Sequence, residues 1–515
     1  MRAIIKAASL VMALFIVSRF LGLFRDVVIA SQFGTSQTYD AYLAAFGLPD
    51  LMFYVISGGA LGSAFIPTFT GYLSRGDQTG AWRLASASFN WLLIVLVSLS
   101  LLAAIFAAPL VAYIIAPGFS PPQQALTATL MRWLFVATVL FGLSGLVMGI
   151  LHAHQHFWLP ALAPIVYNLA IIAGAWFLGP KIGVHGLVIG AVVGALGHLG
   201  AQLPILPRYG LRYQFVLAPG DPGVREVARL MGPRMVGLAA IQMNFIWDKI
   251  LASGLAGGSL AGLDYGRRVM LLPQGIIAQA IAAAAFPTFA ALAAKEDWEE
   301  LQAVFTATLR SVLYLTVPAT VGLLTLGRPV IQLLFERGDF DAASTRLTVW
   351  ALGFYSLGLA PHAVVEIVTR AFYALRNTKM PVLVGIISMG INITLSWVLM
   401  YIFAGLNLAP HGGIALASSI AVGIEMAWLI MALRKLPGAL SVTALGDPLW
   451  RILCAGGGLA LALWLGMTLF GHLSPWFVTP AGIIVGGAVY GGITLRLGLK
   501  EPTYLLQQVK RRFSL

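Results

Sequence analysis

Ser18-Arg19-Phe20-Leu21-Gly22-Leu23-Phe24-Arg25-Asp26 places three charges inside a run otherwise apolar enough to cross a bilayer. At about 100° per residue, Ser18, Arg19, Gly22, Arg25 and Asp26 fall within an arc of about 120°. Phe20, Leu21, Leu23, Phe24, Val27 and Val28 take the rest of the helix. One face suits lipid or packed protein, and the other suits water or an anion. A charge in hydrocarbon costs at least ~2.5–3.5 kcal/mol, so it faces a bundle interior and marks a path for substrate or ions. Two guanidinium groups on one face point to an anionic substrate, most simply a phosphate. The competing reading is an Arg25–Asp26 or Arg19–Asp26 pair that only locks helices together.

Composition agrees with a membrane setting. The 515 residues are 59% hydrophobic and 10% charged, and the mean hydropathy is +0.88. A net charge of +13 would indicate nucleic acid in a soluble protein. Here the basic residues lie mostly in short loops and at the ends, where anionic headgroups and the orientation rule put them. No nucleic-acid-reading motif appears. The single cysteine, Cys454, sits in an apolar run, which excludes a disulfide framework and a cysteine metal site. Arg2 and Lys6 precede the first apolar run, but no small-residue cleavage site follows, so the run reads as a retained first span.

The fold class expected is an all-α polytopic membrane protein. Apolar stretches give about fourteen spans, each needing ~20 residues. Their centres lie near residues 20, 55, 98, 138, 168, 195, 240, 275, 316, 358, 391, 422, 459 and 486. Residues 40–72, with Pro49, Gly58, Gly59 and Pro67, should be bent or tilted. Arg2, Lys6, Arg75, Arg83, Arg208, Arg212, Arg225, Arg229, Lys295, Arg376, Lys379, Arg434, Lys435, Arg451, Lys500, Lys510, Arg511 and Arg512 share one side if both termini do. Few basic residues, notably Lys181, Arg337 and Arg346, fall opposite. Both termini are therefore expected to be cytoplasmic.

The chain also repeats itself. Asp26 matches Asp248 and Ala30-Ser31 matches Ala252-Ser253, at an offset of 222. Asp40 matches Asp264 and Leu48-Pro49 matches Leu272-Pro273, at 224. Pro67-Thr68-Phe69 recurs as Pro287-Thr288-Phe289 and Gly118 as Gly338, at 220. A near-constant offset across half the chain marks a duplication. Six spans per half keep both halves in one orientation, a parallel repeat with the substrate site expected between them. The division expected is a first lobe at 1–215, a second at 222–440, two extra helices at 447–498 and a basic cytoplasmic tail at 499–515.

Other residues could carry chemistry. Asp264, Arg268, Gly275 and Gln279 fall on one narrow stripe of span eight. Repeat symmetry brings that stripe opposite Asp40 and the first span, so Arg19, Arg25 and Arg268, with Arg267, could converge on one anion. Alternatively Arg267 and Arg268 snorkel at the membrane surface. Asp248 either pairs with Lys249 or binds a coupling cation with Asn392. The run His152-x-His154-x-His156 has metal-like spacing but no acid or cysteine nearby, so a wetted interfacial loop is the preferred reading and no metal is expected. Glu366 and Glu425 are single intramembrane acids, each either a proton carrier or a packing residue. Phosphate-cradling loops, acidic metal pairs and nucleophile elbows are absent, so a transporter rather than an enzyme is expected. Without a nucleotide site, transport would run on ion gradients, membrane potential or the substrate's own gradient.

The motifs then add up. Ser18-Arg19-x-x-Gly22-x-x-Arg25-Asp26, Asp40-Ala41, Leu48-Pro49, Ala64-Phe65-x-Pro67, Ala116-Pro117-Gly118-Phe119, Leu334-Phe335-Glu336-Arg337-Gly338-x-Phe340 and Arg370-Ala371-Phe372-Tyr373-Ala374-x-x-x-Thr378-Lys379-x-Pro381 resemble the lipid II flippases (MurJ/MviN family). That family belongs to the multidrug/oligosaccharidyl-lipid/polysaccharide exporter superfamily, and the resemblance runs from residue 1 to about 440. It implies two six-helix lobes around a cationic cavity, rocking between inward-open and outward-open states, with the last two spans holding the polyprenyl tail. It also implies diphosphate-binding roles for Arg19, Arg25 and Arg268, with Asp26 and Asp40 as neighbouring acids. The chain departs from the pattern at Phe53, Gly58 and Leu271, where many members carry charges.

The function expected is a monomeric flippase of the cytoplasmic membrane. It would move the undecaprenyl-diphosphate-linked peptidoglycan precursor, lipid II, to the outer leaflet, with membrane lipids and no nucleic acid as partners. A flippase for another polyprenyl-linked glycan would use the same arginines. A cation-coupled multidrug exporter would favour acids in the cavity, and a polyprenyl-phosphate transferase would need an acidic metal site.

Overall fold

The computed structural model describes residues 2–58, 60–435, 443–499 and 501–502, which are helices and short connections. Packing divides the chain into two units. One is Met1–Leu260 with Arg337–Phe340, and the other is Ala261–Glu336 with Asp341–Leu515.

The first unit opens with α1 (Arg2–Phe33) and a broken stretch, α2 (Gln37–Ala45), α3 (Gly47–Phe53) and α4 (Ala60–Ser74). The bend expected over 40–72 is therefore a series of breaks. The helix restarts after Phe46, and a wide i→i+5 turn at Tyr54–Gly58 precedes α4; Gly59 lies outside the described residues. Then come α5 (Gln78–Ile105), short α6 (Ala107–Leu110), α7 (Pro121–Ala153), α8 (Trp158–Ala173), short α9 (Gly179–Ile182), α10 (His185–Gly200) and α11 (Pro222–Ser253). Helix α7 packs against α2, α4, α5 and α10, and Phe65, Phe69, Trp82, Leu146 and Leu151 are buried around it.

The second unit contains α12 (Ser259–Pro273), α13 (Ala280–Ala294), α14 (Trp298–Phe335), α15 (Ala342–Leu357), α16 (Leu359–Ala374), α17 (Lys379–Gly405) and α18 (His411–Leu433). Phe289, Phe305, Leu309 and Phe372 form its main core. Helices α19 (Gly446–Phe470) and α20 (Pro475–Arg496) join α14 through a second cluster that includes Tyr314, Leu459 and Tyr490.

Among the described residues, by length and apolar composition eleven helices can cross a membrane, or twelve if α15 and α16, bent by 43° at their junction, count as one. These twelve coincide with the expected centres from 98 to 486. The remaining two centres fall on α1 and on the broken α2–α4 stretch, which are not among the twelve, so the expected fourteen is not reached by this measure. The packing division also differs from the sequence division at 215–222. Helix α11 packs on α3 and α4, and its Val227 is buried in the first unit's core, so contacts group it with the first half. The basic tail expected at 499–515, with Lys500, Lys510, Arg511 and Arg512, lies almost wholly outside the described residues.

The duplication is visible in local structure. Asp77 and Asp297 cap α5 and α14 by accepting from the N–H groups of Gly80 (2.8 Å) and Glu300 (3.2 Å). The Ser31 and Ser253 hydroxyls donate to the Val28 and Ile250 carbonyls at 2.8 and 2.7 Å. Each of these helix ends seats a glycine. The Gly118 N–H donates to Ser253 Oγ at 3.1 Å, and a Cβ at Gly118 would run into the Ser253–Gly254 backbone. The Asp339 N–H donates to the Ser31 carbonyl at 2.9 Å, and a Cβ at the neighbouring Gly338 (φ +58°) would run into that carbonyl.

Candidate functional site

Helix α1 turns its polar arc toward α8. Arg25 Nε and Nη2 donate to Asp26 Oδ1 at 3.1 and 2.8 Å, and Nη1 donates to Asn168 Oδ1 at 3.0 Å. Asn168 Nδ2 donates back to the Ser18 carbonyl at 3.5 Å, and Gly22 faces the same amide, 4.0 Å from where its Cβ would stand. Ser18, Gly22, Arg25 and Asp26 thus share one face, and Arg25 spans both readings: it pairs with an acid and reaches a second helix. Arg19, one turn away, is exposed and makes no ion pair among the described residues.

Asn168 was not singled out from sequence. A lone amide in the apolar run Trp158–Ala173 was the available signal, because an amide in hydrocarbon needs a partner. Asp40 is only 2% exposed and accepts from the Gly258 N–H at 2.6 Å, so it holds the turn after α11.

In the second unit Asp264 accepts from Arg268 Nε at 2.6 Å and lies 3.7 Å from Arg267 Nη2. The stripe expected to continue through Gly275 and Gln279 does not hold its phase. From Gln274 to Gln279 the helix widens to i→i+5 bonding, which turns less per residue than an α-helix.

Asp248 lies on α11 in the first unit, whereas Asn392 is buried on α17 in the second and accepts from Ser396 Oγ at 3.2 Å. Glu366 is not a lone acid, since Arg370, one turn on, donates to it at 2.9 Å. Glu425 lies on α18, one turn beyond Ala421, whose carbonyl accepts from the Ser388 hydroxyl of α17 at 3.0 Å. The histidine run is an aromatic cluster rather than a wetted loop. His154 stacks on Tyr209 (centroids 4.4 Å, 16°), His156 Nδ1 is 2.8 Å from the Tyr209 hydroxyl, and His152 leans on Phe157. Burial lowers the pKa of both His154 and His156, and Arg208 lowers that of His156 further.

An apolar cavity of about 590 Å³ lies among α12, α14, α19 and α20, lined by Leu272, Ile276, Leu326, Leu459, Leu463 and Gly487. A Cβ on Gly487 would meet nothing within 4 Å.

The profile of the family described as "Lipid II flippase MurJ" matches residues 29–479. A Bdellovibrio bacteriovorus protein named probable lipid II flippase MurJ is 29% identical over 468 residues, covering 90% of this chain and 88% of its own. The Vibrio cholerae protein of the same name is 28% identical over 519 residues and covers 97% of each chain. A solved structure titled "Lipid II flippase MurJ, inward closed conformation" is similar with a TM-score of 0.80 at 26% identity, covering 94% of this chain and 98% of that one. The profile spans most of the chain, including α12 with its charged stripe and beginning just after the charged residues of α1, and the chain belongs to the lipid II flippase MurJ family.

Proposed function

We propose that this chain is a lipid II flippase of the cytoplasmic membrane, a transporter with both termini on the cytoplasmic side. The charge count on α1 and α12 carries the reading. Arg19 and Arg25 stand against Asp26 in the polar arc of α1, and Arg267 and Arg268 against Asp264 on α12, two arginines to one acid in each stripe. Each stripe therefore has a net charge of +1, and together they match the two ionised phosphates of a diphosphate diester. Charge-assisted bonds from these arginines replace the hydration that a diphosphate-sugar headgroup loses on entering the membrane. The polyprenyl tail stays in lipid and in the apolar cavity beside α19 and α20. Alternating exposure of the arginine site then moves the headgroup between leaflets, and membrane potential acts on any net charge moved, at about 2.3 kcal/mol per charge per 100 mV.

The test is replacement of the native flippase in conditionally depleted cells, with outer-leaflet lipid II as the readout. Wild-type chain should restore it, and Arg19→Ala, Arg25→Ala or Arg268→Ala should each lose it at equal membrane expression. Gly487→Leu should lower flipping by narrowing the tail cavity without disturbing packing. Normal expression without rescue would remove the function, and full rescue by the three arginine variants would remove the site.

A further inference from the structure

Helices α14 and α15 are joined by the short segment Glu336–Asp341 and run side by side. Between them lies a cavity of about 540 Å³ whose charged lining is two arginines, Arg328 from α14 and Arg346 from α15. Both are exposed, and neither makes an ion pair among the described residues. Three acids lie at this end, none of them in the lining: Glu336 accepts from the hydroxyl of Thr345, which does line the cavity, at 2.6 Å, Asp341 accepts from the Ser344 N–H at 2.8 Å, and Asp339 is exposed on the connecting segment. The Asp341 carboxyl is held below its ordinary pKa by that backbone bond, so it stays ionised as a helix cap.

The rest of the lining is Leu324 on α14 and a continuous face of α15 that includes Val349, Trp350, Gly353 and Leu357. Trp350 is pinned by an indole N–H bond to the Ala409 carbonyl at 3.0 Å. At 1.5 Å rise per residue, the two arginines lie about 6–11 Å from the loop end of the hairpin, and Leu324 and Leu357 about 17–23 Å from it. The groove is cationic near the loop and apolar below. That is the polarity of a membrane phospholipid, headgroup at the interface and chain toward the bilayer centre.

We propose that the α14–α15 groove binds one anionic phospholipid, with its phosphate on Arg328 and Arg346 and one acyl chain along Leu324, Gly353 and Leu357. On the orientation proposed above, this lipid comes from the outer leaflet. Two guanidinium groups give a phosphodiester charge-assisted bonds from both sides, and a soluble anion would leave the apolar depth of the groove unfilled. The site lies outside the charged stripes of α1 and α12, so the bound lipid is not the transported one.

Purified full-length chain, titrated with phosphatidylglycerol or phosphatidylcholine in mixed micelles, tests the site, with bound lipid counted by native mass spectrometry. Wild-type protein should hold one phosphatidylglycerol more tightly than phosphatidylcholine. The double variant Arg328→Ala/Arg346→Ala should weaken that lipid by about tenfold or more, the scale of a lost charge-assisted contact. Gly353→Leu keeps both arginines and adds a side chain where a Cβ meets nothing within 4 Å, so it folds and should also release the lipid. If the double variant does not fold, Gly353→Leu decides. Equal phosphatidylglycerol retention in wild type and Gly353→Leu overturns the groove, as does equal retention of the two lipids. Displacement by millimolar inorganic phosphate would make it a plain anion site and overturn the lipid assignment.

Discussion

Equivalent positions in the two repeats keep the same geometry with different chemistry. At one helix end Gly118 sits against Ser253, at the other Gly338 sits against Ser31, but only Gly338 has a positive φ. On α1 the acid is the sequence neighbour of Arg25, whose guanidinium crosses to Asn168 on α8. On α12 the acid Asp264 is paired within the helix, to Arg267 and Arg268 three and four residues on. Backbone positions that fix where helices meet have kept their role through the duplication, and the side chains around them have diverged.

The glycine seats give the largest expected effect. Ala at Gly338 must adopt a left-handed conformation, about 1–2 kcal/mol, and also push back the Ser31 carbonyl, about 1–3 kcal/mol. Gly118→Ala meets only the collision, so it should be milder by the strain term. Thermal unfolding of both variants in detergent reads the difference directly. Equal losses would mean that the positive φ at Gly338 relaxes away and that the two seats are alike.

Next comes Arg25. Removing it leaves Asp26 and Asn168 partly buried without their shared cation, at about 2–3 kcal/mol, below the range for a fully buried pair. Arg268→Ala breaks a one-turn pair that is a third exposed, and should cost stability no more than about 0.5–1 kcal/mol. Arg25→Lys keeps the charge but loses the fork that reaches two partners, so stability should stay low. A destabilisation of equal size at Arg268 would contradict the contrast between the two helices.

Much of this was legible in the sequence, and the misses share a cause. The α1 arc was readable because helical periodicity fixes which residues share a face before any packing is known. The duplication was readable because glycine, proline and capping aspartate are needed by backbone geometry, so their spacing survives. The wide turn at Gln274–Gln279 was only half legible: Pro273 and Gly275 mark a break there, but not the i→i+5 bonding that shifts the helical phase, and it misaligned the expected stripe of span eight. Asn168 and the Arg328–Arg346 pair were missed because each depends on two helices meeting, which periodicity in one helix cannot supply. Helix α11 belongs to the second half by repeat symmetry, while its packing contacts include α3 and α4, which symmetry alone does not supply.

A smaller test concerns Asp264. Asp264→Asn removes the charge that Arg267 and Arg268 face within their own helix, worth about 0.5–1 kcal/mol per pair at this exposure. Binding of a short-chain diphosphate-sugar analogue should tighten a few-fold while flipping slows, because release becomes harder. Weaker binding would mean that Asp264 orients the arginines rather than competing for them.

The smallest effect separates two turns of nearly identical shape. After α7 and after α16 the chain turns through a left-handed residue, Gln155 and Arg376, both at φ 57°. In each the following N–H returns to the carbonyl five residues back, His156 to Leu151 at 2.8 Å and Asn377 to Phe372 at 2.9 Å. Only the first turn carries groups that titrate near neutrality. Because burial lowers the His154 and His156 pKa values, the unfolded chain takes up protons first as pH falls through the ordinary histidine value of 6.5. The stability these neutral rings contribute is therefore present above that value and is lost below it, on the order of a few tenths of a kcal/mol after solvent screening. The double variant His154→Leu/His156→Asn copies the second turn, Leu375-Arg376-Asn377, at the two titrating positions. Its apparent Tm should fall less than wild type between pH 7 and about pH 5, the interval in which an ordinary histidine titrates. An unchanged pH slope would mean that the Tyr209 stack accepts the charged rings, and the two turns would then be equivalent in chemistry as well as in shape.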